Sequence, residues 1–219
     1  MDKHRIGIVI PAFNEEKTIA RIVEEASRYG LPIVIDDGSN DNTVKLAKKY
    51  GAIVIKHKKN YGYDQALNTG FKKAADLGMQ IIISLDADGQ HDPFLIKRFV
   101  NSIDSGLDFV LGVRNQKQRF SEYFFAWYTN ICFGIKDPLC GMKAYRSYVY
   151  EALGHFDSYG SIGTELMIFA VKKNYRFRQI QFNIQQRVDQ PRFGEKLSGN
   201  YKIIRAMLLL IWRLNRRLC

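Results

Sequence analysis

Two carboxylates spaced one residue apart follow a strongly apolar run in the middle of the chain. The run at residues 81–85 ends in Asp86, and Asp88 follows after a single alanine. In an extended chain, side chains at i and i+2 project from one face, so the two carboxylates are predicted to point together. A hard divalent cation such as Mg²⁺ or Mn²⁺, completed by a diphosphate, would relieve their repulsion. Asp92, directly before Pro93, is interpreted instead as a helix N-cap.

Apolar runs alternate with segments of helical spacing through the first half of the chain. Strands are predicted at residues 6–10, 33–35, 52–55, 81–85 and 108–111. This alternation is typical of an α/β domain with a mostly parallel sheet. Ligands of such sheets bind beyond the carboxyl ends of the strands, where the polar clusters at residues 11–15, 36–37 and 86–88 occur. The three clusters are predicted to build one site.

Composition places the chain among globular intracellular proteins. Its 219 residues, 46% of them hydrophobic, suffice for one large domain. The three cysteines leave an odd thiol and form no C-x-x-C pair, which favours a reducing compartment. The N-terminus lacks the long apolar core of a signal peptide, so a cytoplasmic location is expected.

The formal net charge of +11 predicts a negatively charged partner. Between residues 187 and 217 there are eight Lys or Arg against two acidic residues. No zinc-finger spacing or aromatic RNA-binding motif occurs, so nucleic acid is not expected. We divide the chain into a domain at 1–197 and a basic C-terminal segment at 198–219. Its apolar run at 206–212 is too short to cross a bilayer.

Two stretches leave alternatives open. The C-terminal segment is either a basic amphipathic helix on an anionic membrane surface or an ordinary helix packed on the domain. The segment at residues 119–134 is unusually aromatic. Such a segment usually forms core, but beside a basic, membrane-directed C-terminus it could also hold a lipid chain.

Five motifs in one order carry a family resemblance. They are PAFNEE from Pro11, DDGSND from Asp36, DADGQHDP from Asp86, DPLCGMKAYR from Asp137 and GTEL from Gly163. Together they resemble the family 2 glycosyltransferases, most closely the dolichol-phosphate-mannose-synthase-like branch. That branch moves a sugar from a nucleotide to a polyprenyl phosphate. The resemblance implies a GT-A fold, a Rossmann-like and mostly parallel sheet with helices on both faces, here followed by the basic helical segment.

The resemblance also implies roles for the matching residues. The nucleotide would be bound by Pro11, Ala12, Phe13, Asn14, Glu15, Asp37, Asp86 and Ala87. The Mg²⁺ or Mn²⁺ ion would be held by Asp86, Asp88 and Gln90. Catalytic roles fall to Asp88, Asp137, Glu165 and Arg114, and the acceptor phosphate would meet Arg114, Arg119, Lys143, Arg187 and Arg192.

The function implied is an inverting, metal-dependent transfer from a UDP- or GDP-linked sugar to a membrane polyprenyl phosphate. The enzyme would be peripheral on the cytosolic face of the membrane. A saccharide hydroxyl as acceptor is the alternative within enzymes, and it would require a base such as Asp137 or Glu165. A non-catalytic module binding nucleotide sugars or anionic membranes is the alternative from another class. The family often has Lys-Gly where this chain has Tyr63 and Asp64, which leaves the donor open.

Overall fold

The architecture is a seven-stranded sheet covered by helices on both faces. The computed structural model describes residues 2–117, 119–185 and 196–216. The strands are β1 (Ile6–Ala12), β2 (Leu31–Asp36), β3 (Ile53–Lys56), β4 (Ile81–Ser84), β5 (Phe109–Arg114), β6 (Lys143–Arg146) and β7 (Phe177–Phe182). The helices are α1 (Ile19–Ala26), α2 (Thr43–Lys49), α3 (Tyr63–Asp76), α4 (Leu95–Asp104), α5 (Phe120–Phe133), α6 (Ser147–Leu153), α7 (Glu165–Lys172) and α8 (Lys196–Arg216).

The sheet has the order β3-β2-β1-β4-β6-β5-β7. All described strand pairs are parallel except those of β6, which runs antiparallel between β4 and β5. Every residue of β1 is buried, as expected for a central strand covered on both faces. The prediction of an α/β, mostly parallel sheet is confirmed, and the carboxyl ends of β1, β2 and β4 meet at one edge.

Two hydrophobic clusters cover the two faces of the sheet. One contains the apolar faces of α1 and α4, with Ile22 and Phe99 fully buried. The other contains α3, α5, α6, α7 and α8, with Phe71, Phe125 and Leu210 in its interior. Helices on both faces are thereby confirmed.

The C-terminal helix α8 belongs to this second cluster. Its residues Ile203, Ala206 and Leu210 are buried, and α8 packs along α5. In the described part of the chain, no helix is both long enough and apolar enough to cross a membrane. A separate domain boundary near residue 197 stays a prediction.

Candidate functional site

A cleft of about 320 Å³ opens at the edge of the sheet where β1, β2 and β4 end. It is lined by Pro11, Ala12, Phe13, Glu15, Asp37, Asn60, Gly62, Tyr63, Ala66, Asp86, Ala87, Asp88 and Lys202. The three polar clusters predicted from the strand ends therefore meet in one cleft. Its walls are mixed, with apolar side chains from the first strand and carboxylates from all three loops.

The acidic pair lies at the mouth of β4. Tyr63 Oη donates to Asp86 Oδ1 at 2.9 Å. Burial, followed by the neighbouring Asp86 charge, raises the pKa of Tyr63 well above its usual value, so this phenol stays a donor. Gly141 covers the other oxygen, because a Cβ there would lie 2.0 Å from Asp86 Oδ2. Ser84 Oγ holds that loop by donating to the Gly141 carbonyl at 2.6 Å.

Two hydrogen bonds at Gln90 hold the loop that follows the acidic pair. Asp88 Oδ1 accepts the Gln90 N–H at 3.0 Å, and the Gln90 carbonyl accepts the Gln185 N–H at 2.9 Å. The buried His91 Nδ1 lies 3.5 Å from Asp86 Oδ2 and has no hydrogen-bond partner among the described residues. Gln90 does not line the cleft.

Asp86 and Asp88 fit a divalent cation whose coordination is completed by the oxygens of a diphosphate. Asp86 and Asp88 supply hard oxygen ligands into an open cleft, and Gly141 leaves no space for a side chain over Asp86. No cluster of three or more His, Cys, Asp or Glu suited to a metal occurs in the part of the chain that the structure describes.

Asp37 is held at the far end of the cleft by three donors. Its Oδ1 accepts the Tyr61 N–H at 2.9 Å and lies 2.8 Å from His57 Nδ1. Its Oδ2 accepts the Gly62 N–H at 2.8 Å. His57 is itself positioned by Thr69 Oγ1, 3.0 Å from Nε2. A carboxylate offers about four lone-pair sites, so one acceptor position on Oδ2 is left for a ligand N–H.

The loop after β1 is tied to the loop after β2. Asn14 has φ +53° and donates its N–H to Ser39 Oγ at 2.8 Å, while its side-chain oxygen accepts the Asn40 N–H at 2.9 Å. The Glu15 N–H donates to Thr43 Oγ1 at 2.8 Å. Asn14 thus shapes the cleft rather than lining it, whereas the other predicted nucleotide residues all line it.

Arg114 and Asp137 form a buried ion pair beside the cleft. Arg114 donates from Nε and Nη2 to the two oxygens of Asp137 at 2.9 Å each, and from Nη2 to Glu122 at 2.9 Å. Burial would lower the pKa of Arg114, but the hydrogen bond and charge of Asp137 outweigh it and raise that pKa. The acceptor-phosphate role of Arg114 and the catalytic role of Asp137 stay predictions, because neither residue lines the cleft.

Lys143 and Glu165 lie apart from the cleft lining. Lys143 is buried and donates from Nζ to the Gly163 carbonyl at 2.7 Å, and burial lowers its pKa. Glu165 accepts from the Ser158 N–H at 2.6 Å and pairs with Arg213 of α8 at 3.3 Å. The structure therefore does not bring these two predicted residues to the acidic pair.

The remaining predicted phosphate ligands lie elsewhere. Arg119 precedes α5 and lies against Gly199 of α8, where a Cβ would be 2.7 Å from its Nε. Arg187 and Arg192 lie outside the described residues. Of the predicted catalytic residues, only Asp88 lines the cleft.

Tyr63 and Lys202 line the cleft and His57 holds its Asp37, yet none of the three is predicted as a site residue from the sequence. Tyr63 was noted only as a departure from the family pattern, although its position right after Gly62 pointed to the strand-end edge. His57 carries no motif signal of its own. Lys202 comes from α8, which is distant in sequence from every motif and reaches the cleft only through packing.

The seven-stranded sheet and the acidic cleft at its strand ends define an α/β domain of the GT-A type. The family model described as "Glycosyl transferase family 2" matches residues 7–163. The chain belongs to the family 2 glycosyltransferases and is therefore an enzyme of that class.

Three relatives illustrate the similarity. The chain is 32% identical over 230 residues to an uncharacterised protein of Methanocaldococcus jannaschii, covering 95% of this chain and 93% of that protein. It is 36% identical over 135 residues to the UDP-N-acetylglucosamine–dolichyl-phosphate N-acetylglucosaminyltransferase of Methanococcus voltae, covering 52% of this chain. It matches 54% of that enzyme's length and 51% of an undecaprenyl-phosphate 4-deoxy-4-formamido-L-arabinose transferase of Proteus mirabilis. The chain thus spans about half the length of the two named enzymes it matches.

Solved structures share the fold. Glucosyl-3-phosphoglycerate synthase of Mycobacterium tuberculosis, in complex with Mn²⁺, UDP and phosphoglyceric acid, has a TM-score of 0.75 and 21% identity. The match covers 94% of this chain and 78% of that one. The same enzyme with Mg²⁺ and UDP gives a TM-score of 0.73. At this identity the likeness shows the GT-A fold.

Proposed function

We propose that this enzyme transfers a sugar from a UDP-sugar to a membrane polyprenyl phosphate, with inversion at the anomeric carbon. The observation that carries the proposal is the meeting of Asp37, Asp86 and Asp88 in one cleft. One acceptor position at Asp37 and an acidic pair at the other end suit a base and a diphosphate. The named relatives act on dolichyl or undecaprenyl phosphate, and the solved neighbours hold UDP with Mn²⁺ or Mg²⁺.

The polar residues of the cleft have different roles in this proposal. The remaining lone pair of Asp37 accepts the imide N–H of uracil, while His57 and the backbone N–H groups keep the carboxylate in place. Asp86 and Asp88 would hold a divalent cation, which would offset the negative charge of the leaving diphosphate. Tyr63 keeps one oxygen of Asp86 in a fixed direction. Lys202 adds a positive charge at the wall of the cleft.

The position of the acidic residues favours a phosphate acceptor over a saccharide hydroxyl. A hydroxyl acceptor needs a general base, whereas an acceptor phosphate is already ionised near neutral pH. Asp137 and Glu165, the predicted bases, are bound to Arg114 and to Ser158 and Arg213. The described lining of the cleft contains neither of them. Catalysis therefore rests on electrostatic stabilisation of the leaving group, and one such preorganised contact is worth about 3 kcal/mol of barrier.

The proposed reaction requires a membrane surface that nucleotide sugars can reach. UDP-sugars are charged solutes, and a polyprenyl phosphate holds its phosphate at the bilayer surface. We propose that the protein works at the cytosolic face, with its cleft opening towards the lipid phosphates.

An acceptor competition tests the proposal. The protein is incubated with a panel of UDP- and GDP-sugars, a short-chain polyprenyl phosphate and a mixture of soluble glycans, and products are identified by mass spectrometry. We expect a lipid-linked sugar from one UDP-sugar only. Modified glycans with unmodified lipid would overturn the acceptor, and a product from a GDP-sugar alone would overturn the nucleotide.

A further inference from the structure

Helix α5 exposes a row of large apolar side chains although it already packs on the core. Its buried side consists of Phe125 and Ala126 together with the polar residues Ser121, Glu122 and Thr129. Its exposed side chains are Phe120, Tyr123, Phe124, Trp127 and Ile131, which are 74%, 55%, 53%, 65% and 65% accessible. The spacing of these five residues places them along one stripe of the helix. A stripe of this kind marks an interaction surface.

Helix α8 carries a second stripe of the same kind. Its inner face buries Ile203, Ala206 and Leu210, yet Tyr201, Ile204, Leu208 and Trp212 on the opposite side are 69%, 45%, 57% and 50% exposed. Residues three, seven and eleven positions after Tyr201 share one side of a helix. The outer side of α8 therefore presents four large apolar side chains to solvent.

The two stripes lie on neighbouring helices that cover the same part of the core. Phe125 of α5 and Leu210 of α8 belong to one hydrophobic cluster, and Ser121 Oγ donates to Asn200 Oδ1 at 2.6 Å where the helices meet. Helices packed side by side on one core layer turn their outer faces the same way. We propose that the two stripes form one docking face, and that its partner is the surface of an anionic lipid bilayer.

Composition and charge select the bilayer over a second copy of the chain. Trp and Tyr prefer the boundary between lipid headgroups and acyl chains. Basic residues accompany the stripes: Lys117 Nζ lies 5.3 Å from the Tyr123 ring centroid, and Arg205 is exposed next to Ile204. A net charge of +11 opposes pairing of two identical chains and favours a negatively charged surface.

The docking face is continuous with the cleft. Lys202 lines the cleft and directly follows Tyr201 of the α8 stripe. One helix thus contributes both to the cleft lining and to the docking face, so a lipid phosphate can approach the cleft while its tail stays in the membrane. This step rests on the proposed function; the docking itself does not, since it is measured without donor or acceptor.

The two tryptophans provide a direct measurement. The chain has only two, Trp127 and Trp212, and each lies on one stripe. With vesicles of phosphatidylcholine and phosphatidylglycerol, we expect both to shift their emission to the blue and to be quenched by brominated lipids. The Trp127→Phe variant leaves only Trp212 and reports on the α8 stripe. The Trp212→Phe variant leaves only Trp127 and reports on the α5 stripe. Unchanged emission from the intact protein at saturating anionic vesicles would overturn the proposal.

Paired variants test the stripes in a flotation assay with the same vesicles. We expect Phe124→Ser with Trp127→Ser, and Leu208→Ser with Trp212→Ser, each to weaken binding at least about tenfold. Phe94→Ser is the matched control, because Phe94 is an equally exposed aromatic before α4, at 59%. Equal vesicle binding by all variants would contradict a lipid partner. A protein that binds no vesicles but forms a dimer, which the α5 variant dissociates, would also contradict it. Binding to vesicles without sugar transfer would contradict the proposed function alone.

Discussion

At the residue scale, the cleft depends on a few carboxylates whose surroundings differ in kind. Asp86 and Asp88 open into the cleft, Asp37 is held by three donors, and Asp137 is neutralised by Arg114. Their positions in sequence did not reveal this division. What separates them is which loop donates N–H groups to each carboxylate and how deeply each is buried.

The acidic pair can be tested against a nearby aspartate of different role. In the proposed complex Asp88 would face the cation and the diphosphate, so we expect Asp88→Asn to lower kcat at least about a hundredfold. Asp92→Ala is the control, because Asp92 Oδ1 accepts the Phe94 N–H at 2.9 Å before α4. That variant should lose about 1 kcal/mol of stability and keep its activity. Comparable loss of turnover in both variants would contradict the assignment.

Asp64 gives the protein a pH-dependent stability. Burial and the nearby Asp157 charge raise the pKa of Asp64 from 3.8 to about 7, although Lys143 opposes this. The native state then binds the proton more tightly than the unfolded state. The resulting stabilisation is present at acidic pH and is lost as the pH rises to about 7, by up to about 1.4 kcal/mol per pH unit.

Asp64→Asn removes the titrating group and should flatten this dependence. Urea unfolding of the parent and the variant at about pH 5 and about pH 8 measures it. The parent should lose stability relative to the variant at the higher pH. A constant difference between the two proteins across that range would mean that Asp64 titrates normally.

At the element scale, two loops determine whether the strand ends can act together. The segment between β3 and α3 carries His57, Tyr61 and Gly62, which together hold Asp37. His57→Phe deletes both ring-nitrogen contacts, to Asp37 and to Thr69. We expect KM for the UDP-sugar to rise by about tenfold with little change in kcat, because one hydrogen bond to a charged group is worth about 1.5–3 kcal/mol. Steady-state kinetics separates the two parameters; a fall in kcat alone would contradict a binding role.

The loop before β6 approaches the Asp86 carboxylate closely at Gly141. In Gly141→Ala the new Cβ would overlap Asp86 Oδ2, which it would meet at 2.0 Å, so Asp86 must move and activity should be lost. Gly134→Ala is the matched control, because a Cβ there meets nothing within 4 Å and its φ of +69° costs only about 1 kcal/mol. In steady-state kinetics Gly141→Ala should therefore lose activity, whereas Gly134→Ala should keep it. In thermal unfolding Gly134→Ala should be only slightly less stable than the parent. Full activity in Gly141→Ala would refute the close approach.

Elements built from local patterns were predictable, whereas those that depend on distant pairing were not. The first four strands follow from apolar runs, and the polar clusters after β1, β2 and β4 correctly indicated one cleft. The antiparallel β6 (Lys143–Arg146) lacks an apolar run and is defined by its pairing with β4 and β5. Lys202 reaches the cleft only because α8 packs beside α5, a long-range contact that no local spacing encodes.

At the scale of the whole molecule, charge and apolar surface are arranged around a single edge. The acidic cleft, the basic residues of α8 and the exposed aromatic stripe of α5 all occur on elements that meet near that edge. This arrangement suits a charged donor arriving from solution and a lipid-linked acceptor arriving from a bilayer.

The most direct test of this account measures the lipid product. The intact protein is incubated with Mn²⁺, the UDP-sugar selected from the panel and polyprenyl phosphate in anionic vesicles, in parallel with Asp88→Asn and with a sample treated with EDTA. We predict a lipid-linked sugar from the intact protein alone. Equal product in the Asp88→Asn sample, or transfer that persists after chelation, would contradict the metal-bound acidic pair on which the account depends.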